Sequence, residues 1–224
     1  MGKLFVIPTP IGNLEDITLR SLRILREVDT ILAEDTRVTK KLLDHYTIHK
    51  PVLAYHQYNE HQQLNNYIDL IHRQQSVALV SDAGTPAISD PGFLLIRACI
   101  QNNIEIECLP GATAFVPALV NSGFPSDKFY FYGFLPHKKG RTTTIQKLTK
   151  IKETIILYES PFRLIKTLEE LKTAFGEEHP VCVCRELTKI YEETLRGTLS
   201  EVSTYFSSKN SVKGEFVIIL QGKL

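Results

Sequence analysis

Across the first half of the sequence, short apolar or β-branched runs alternate with longer segments whose apolar residues recur every three to four positions. This alternation is the strongest constraint on the fold. Each parallel strand needs a crossover to return to the same edge, so strand–helix repetition builds a parallel sheet with helices on both faces. The predicted strands are Lys3–Ile7, Thr30–Ala33, Val52–Tyr55, Ser76–Val80 and Ile104–Leu109. Leu19, Leu22, Leu25 and Val28 stripe a helix over Thr18–Val28, and Thr36–Tyr46 forms the next. A third helix carries Leu64, Tyr67, Ile68 and Ile71 behind Asn59 as N-cap. Asp90-Pro91 supplies an N-cap and a first-turn proline for a fourth, running through Cys99.

Pro110-Gly111 interrupts this rhythm, and a small-residue segment, Ala112–Gly123, follows. The expected organisation is an N-terminal α/β domain over 1–112, a junction over 113–123 and a C-terminal α/β domain over 124–224. In the second half the strands are Phe129–Gly133, Thr154–Tyr158, Val181–Arg185, Glu192–Gly197 and Glu215–Leu220, with helices at Arg141–Ile151, Pro161–Phe175 and Ser200–Ser207. Alternation is looser here, which predicts a mixed sheet.

Composition narrows the functional classes. With 224 residues, 43% hydrophobic, each domain can bury a core of its own. No apolar run approaches the roughly 18–20 residues that span a bilayer. The four apolar residues between Lys3 and Pro8 are too few for a secretory h-region, so a cytoplasmic protein away from the membrane is expected. The formal charge of +1 gives no global attraction to nucleic acid. Cys99, Cys108, Cys182 and Cys184 form no C-x-x-C and read as buried thiols, the last two on one strand face. Neither a P-loop, G-x-G-x-x-G nor H-E-x-x-H occurs, and no metal site is expected.

Three turn-rich segments leave predicted strands of the first half: Pro8–Leu14, Ser81–Gly92 and Pro110–Ala114. In a doubly wound sheet, ligands bind outside the carboxyl ends of the strands, so these loops share one edge. Gly, Pro, Ser, Thr and Asp bring bare backbone and hydroxyls to a ligand, although the same residues also make plain tight turns. The span from Ser81 to Gly92 exceeds an ordinary βα connection, which favours function. In the second half, Lys138, Lys139, Arg141, Lys147, Lys150 and Lys152 give six cations with no acid from 137 to 152, a local footprint for phosphates. Tyr130 and Tyr132 stand just upstream and can stack on an unpaired base.

Ile7-Pro-Thr-Pro-Ile-Gly-Asn-Leu14, Ala33-Glu-Asp-Thr-Arg37, Leu79-Val-Ser-Asp-Ala-Gly-Thr-Pro86 and Ser89-Asp-Pro-Gly92 together resemble the rRNA ribose-methylating branch of the tetrapyrrole-methylase superfamily. His56 with Asn59-Glu60, Leu109-Pro-Gly111, Gly133-Phe-Leu-Pro136, Tyr158-Glu-Ser160, Arg185-Glu-Leu-Thr-Lys189 and Gly214-Glu215 continue the likeness in order along the chain. Many members extend through a further helical segment beyond the last strand, whereas this sequence ends at Leu224.

The resemblance implies two α/β domains with S-adenosyl-L-methionine in the cleft between them, and a homodimer. It implies 2′-O-methylation of a decoding-centre cytidine, position 1402 of 16S rRNA, within the small ribosomal subunit. By the same likeness Pro10, Gly84, Thr85, Ile88, Thr113, Ala114, Leu187 and Gly214 border the cofactor, and Lys138, Lys139, Arg141 and Lys147 meet RNA. Glu34, Asp35, Arg37, His56, Glu60 and Glu159 are the candidate catalytic groups, with no single base singled out. For Glu34-Asp35, capping of the following helix is an equal alternative. Methylation of a small tetrapyrrole or corrinoid, or a ribosome-assembly role without turnover, are the other functions that such a chain can serve.

Overall fold

The computed structural model describes residues 2–56, 60–73 and 76–222, except for the side chains of residues 60–62. It divides into two compact units, Met1–Thr113 and Ala114–Leu224.

The first unit runs β1 (Lys3–Val6), α1 (Leu19–Glu27), β2 (Thr30–Ala33), α2 (Thr36–His45), β3 (Val52–Ala54), α3 (Glu60–His72), β4 (Ser76–Val80), α4 (Phe93–Gln101) and β5 (Glu105–Cys108). All five strands are parallel, in the order β3-β2-β4-β1-β5. The uninterrupted apolar runs follow from burial on both faces. Ala78 and Val80 of β4 join Ile7, Leu25, Ile31 and Leu43 on one side, while Val77 and Leu79 join Leu4, Leu32, Ile71 and Leu95 on the other. Thr18 caps α1 by accepting from the Ser21 amide at 3.0 Å.

Two local expectations are corrected. Helix α4 is capped by Gly92 at φ 142°, with no side-chain cap bond, rather than by Asp90. The Pro91 carbonyl instead accepts from the Ala87 amide, which keeps Asp90 and Pro91 in the preceding loop. Cys108, at the end of edge strand β5, is exposed, whereas Cys99, Cys182 and Cys184 are buried. The Asn59 cap lies outside the described residues.

The second unit contains α5 (Phe115–Ser122), β6 (Phe129–Phe134), α6 (Arg141–Leu148), β7 (Thr154–Glu159), α7 (Leu164–Phe175), β8 (Pro180–Arg185), β9 (Glu193–Thr198), α8 (Leu199–Ser207) and β10 (Phe216–Leu220). Its sheet has the order β6-β7-β10-β8-β9 and is mixed: β6 and β7 are parallel, and the other pairs are antiparallel. Ile155, Leu157, Val183, Ile218 and Phe206 lie in a core shared with the three helices α6, α7 and α8. The segment read as a junction folds into α5, which packs against β8 and β10. There the Cys184 thiol approaches the Ala118 carbonyl at 3.9 Å.

Candidate active site

In a parallel sheet all carboxyl ends fall on one edge, so the segments after β1, β2, β4 and β5 meet there. The loop after β1 is stitched to the loop after β4. Thr9 and Gly84 exchange two backbone hydrogen bonds of 2.9 Å, and the Thr9 hydroxyl donates to the Ser81 carbonyl at 2.9 Å. Gly84 sits at φ 85°, a left-handed conformation that glycine adopts without steric cost. The Thr85 hydroxyl then donates to the Ala112 carbonyl at 3.0 Å, tying in the loop after β5. Gly111 completes the closure: a Cβ there would stand 2.6 Å from the Pro8 Cβ. Ala87 and Ser89 are also left-handed, at φ 69° and 64°, an uncommon conformation for residues carrying a Cβ.

Of the residues expected to border a cofactor, Pro10, Gly84, Thr85, Ile88 and Thr113 all lie on these loops. Pro10 and Gly84 are buried, and the other three are half-buried. Ala114 caps α5 in the second unit. There Leu187 is 6% exposed, and it lies between two left-handed residues, Glu186 and Thr188. Gly214, at φ 102°, leaves room for Glu186, since a Cβ would stand 2.5 Å from the Glu186 Cγ. The Glu186 carboxylate accepts from the Glu215 amide and from Lys189, each at 2.9 Å.

The carboxylates at the ends of β2 and β4 occupy different electrostatic settings. Asp35 is the N-cap of α2 and is gripped by Arg37, whose Nε and Nη2 lie 3.0 and 2.6 Å from its oxygens. The Arg37 hydrogen bonds hold its pKa down at about 2. Glu34 is pushed the other way, first by burial and then by the charge of Asp82, with His56 opposing weakly. Asp82 is raised as well, mainly by burial, and its Oδ1 accepts from the Asp35 amide at 2.9 Å. Asp82 thereby joins the candidate groups, although the sequence alone does not single it out. One acidic side chain in a turn-rich loop looks like any other until the register of β2 and β4 brings it beside Glu34. Glu60 has its side chain outside the described residues.

Glu159 is buried, with its oxygens engaged inside the unit. Its carboxylate accepts from the Ser160 amide at 2.8 Å and the Thr167 hydroxyl at 2.7 Å, and it pairs with Arg163 at 2.8 Å. Arg141 is only 4% exposed and bonds to Glu170 at 2.6 Å and to the Pro136 carbonyl at 3.1 Å. It therefore leaves the set of cations available to phosphates, because its donors are spent inside the unit. Lys138, Lys139 and Lys147 are exposed and form no ion pair with any described residue. Tyr130 is 41% exposed on edge strand β6, while Tyr132 packs against the core.

The chain belongs to the tetrapyrrole (corrin/porphyrin) methylase family, whose model matches residues 3–203. Within it, the chain is 45% identical over 223 residues to the Ribosomal RNA small subunit methyltransferase I of Thermotoga maritima, covering 100% of both chains. Identity to the protein of the same name from Halalkalibacterium halodurans is 47% over 222 residues, covering 99% of this chain and 76% of that one. Two solved structures share the fold. The cobalamin-biosynthetic cobalt precorrin-4 methyltransferase CbiF has a TM-score of 0.72 at 21% identity, over 98% of this chain and 94% of its own. The native uroporphyrin III C-methyltransferase of Thermus thermophilus gives 0.68 at 16%, over 97% of each. No helix among the described residues is long and apolar enough to cross a membrane.

Proposed function

We propose that this chain methylates the ribose 2′-hydroxyl of the decoding-centre cytidine of 16S rRNA, with S-adenosylmethionine as donor, acting on the small ribosomal subunit as a cytoplasmic homodimer. The observation that carries this reading is the 45% identity that runs end to end through both chains with the Thermotoga maritima rRNA methyltransferase. The exposed Lys138, Lys139 and Lys147 support it, since RNA phosphates need clustered cations rather than a high net charge.

The loop edge fits the donor. Half-buried Ile88 and Thr113 and the Thr85 hydroxyl offer apolar and hydroxyl groups to one ligand, and Gly84 lets bare backbone approach it without a side chain, as a molecule with amino-acid, ribose and adenine parts requires. Pro10, Gly84, Thr85, Ile88, Thr113, Ala114, Leu187 and Gly214 are the residues assigned to it. When bound, S-adenosylmethionine would supply an electrophilic methyl to an attacking ribose oxygen in line, with S-adenosylhomocysteine as the leaving thioether. With the leaving group already activated, positioning by the loops contributes much of the rate. A base that takes the hydroxyl proton adds about 10²–10⁴-fold. Glu34 suits that task because burial raises its proton affinity. Asp35 is the poorer base, its carboxylate being committed to Arg37.

The test is incubation with tritiated S-adenosylmethionine and small subunits from a strain lacking the modification, with free rRNA in parallel. Label in an alkali-resistant dinucleotide at the decoding-centre cytidine is expected. No label, with cofactor binding intact by calorimetry, overturns the reading and favours a small tetrapyrrole or corrinoid substrate.

A further inference from the structure

Beside the stitched loops of the first unit opens a pocket of about 250 Å³. Pro10, Leu14 and, from α2, Val38 and Leu42 give it apolar lining. Leu14 and Val38 remain 38% and 40% exposed there, so an apolar slot is left partly open to solvent. Five polar residues also line it, of which Thr9 and Ser81 spend their hydroxyls on the Ser81 and Gly84 carbonyls, leaving Asp82, Thr39 and Lys41. Of the Asp82 carboxylate, only Oδ1 accepts a hydrogen bond from a described residue. Thr39, 3% exposed, also lines the pocket, and its hydroxyl has no partner among the described residues. A buried hydroxyl without a partner carries a desolvation cost that a ligand can relieve. On the rim, exposed Lys41 forms no ion pair with any described residue.

The slot is separate from most of the assigned cofactor residues. It sits at the ends of β2, β4 and β1, whereas Thr113 follows β5 on the other side of β1, and Thr85, whose hydroxyl donates to the Ala112 carbonyl, is tied to that same segment. The two sets share Pro10 and the loop that begins at Ser81.

We infer that this pocket receives the target nucleotide itself, an extruded cytidine of RNA, an inference that rests on the function proposed above. An apolar lining suits a flat base, and enzymes that act on a buried nucleotide hold it against apolar side chains after flipping it out. A carboxylate is the acceptor matched to the exocyclic 4-amino group of cytosine, and Asp82 has an oxygen available for it. The Thr39 hydroxyl can satisfy a ring acceptor. Lys41 at the rim meets the adjoining phosphate. This arrangement reads the base on the β2 side of Pro10 and presents the ribose towards Glu34 and the cofactor loops.

The test uses the full chain and small subunits bearing cytidine or, by rRNA mutation, uridine at the target position. kcat and KM are measured for Lys41→Ala, Val38→Asp and Asp82→Asn, with S-adenosylhomocysteine affinity by calorimetry and thermal melts to verify folding. Lys41→Ala and Val38→Asp are expected to raise KM for the subunit about tenfold while leaving S-adenosylhomocysteine affinity within about twofold. Asp82→Asn is expected to lower the cytidine-to-uridine ratio of kcat/KM by about tenfold, within the range of one base-edge contact. Weakened S-adenosylhomocysteine binding with an unchanged KM would assign the pocket to the cofactor and overturn the inference. Unchanged KM, affinity and base preference in all three folded variants would overturn it too. Both outcomes require a wild-type chain that methylates the subunit; a wild type that leaves it unlabelled overturns the proposed function itself.

Discussion

Replacing Glu159 with alanine tests whether that carboxylate is architecture or chemistry. The side chain is fully buried and accepts from Ser160 and Thr167 while facing Arg163 at 2.8 Å and Arg141 at 3.9 Å. Removing one member of such a set leaves buried cations uncompensated, a loss of about 3–5 kcal/mol. Arg141 retains Glu170 at 2.6 Å, which places the expected cost near the lower end, about 3 kcal/mol. With a urea dependence of about 2 kcal/mol per molar, the midpoint should fall by about 1.5 M. Far-UV circular dichroism is the signal of choice, since the chain has no tryptophan. Arg163→Ala should cost a comparable amount, and the double variant less than the two separately, because both break the same contact. A Glu159→Ala protein within about 0.5 kcal/mol of wild type would refute this reasoning. Full stability combined with abolished methyl transfer would go further and return Glu159 to the catalytic groups.

Gly111→Ala should cost about 1–3 kcal/mol, as its new methyl must displace Pro8, and should weaken S-adenosylhomocysteine binding in calorimetry; an unchanged melt and affinity would refute the close-approach argument. Because burial raises the pKa of Glu34 and Asp82, each holds its proton to a higher pH than a solvated acid. The acid limb of kcat/KM should therefore lie above that of a solvated glutamate, with activity lost as pH falls through it, and Glu34→Gln should remove or flatten that limb in a pH–rate series. The same sign makes charged Glu34 unfavourable to folding, so Glu34→Gln should melt higher than wild type at neutral pH. Removing Lys138, Lys139 and Lys147 together should reduce the slope of log affinity for RNA against log salt by about 2, with cofactor binding preserved; an unchanged slope would move the RNA contact elsewhere.

Much of the fold could be read from residue order because local and global demands agree. Val77-Ala-Leu-Val80 has no polar residue to turn outward, so it fits only a strand covered on both faces, and β4 is one. Thr18 precedes an apolar stripe and caps it. The Asp90-Pro91 signal failed because the loop beginning at Ser81 has its own architecture: left-handed Ala87 and Ser89 draw the Pro91 carbonyl inward, and the helix starts beyond it. Arg141 was lost among its basic neighbours for a different reason. Its partner Glu170 lies 29 residues along the chain, and no local pattern announces a contact at that distance. Asp82 escaped notice because its significance depends on strand register rather than on residue type.

The mutual stitching of Thr9, Gly84, Thr85 and Ala112 also bears on dynamics. Loops that must order themselves around a ligand surrender conformational entropy at binding, whereas loops already fixed by one another have surrendered it during folding. The amides of Thr9 and Gly84, each the donor in the other's backbone bond, should therefore resist hydrogen exchange in the ligand-free protein almost as well as those of the adjoining strands. Their exchange rates would report on how far the receptacle is assembled before any ligand arrives.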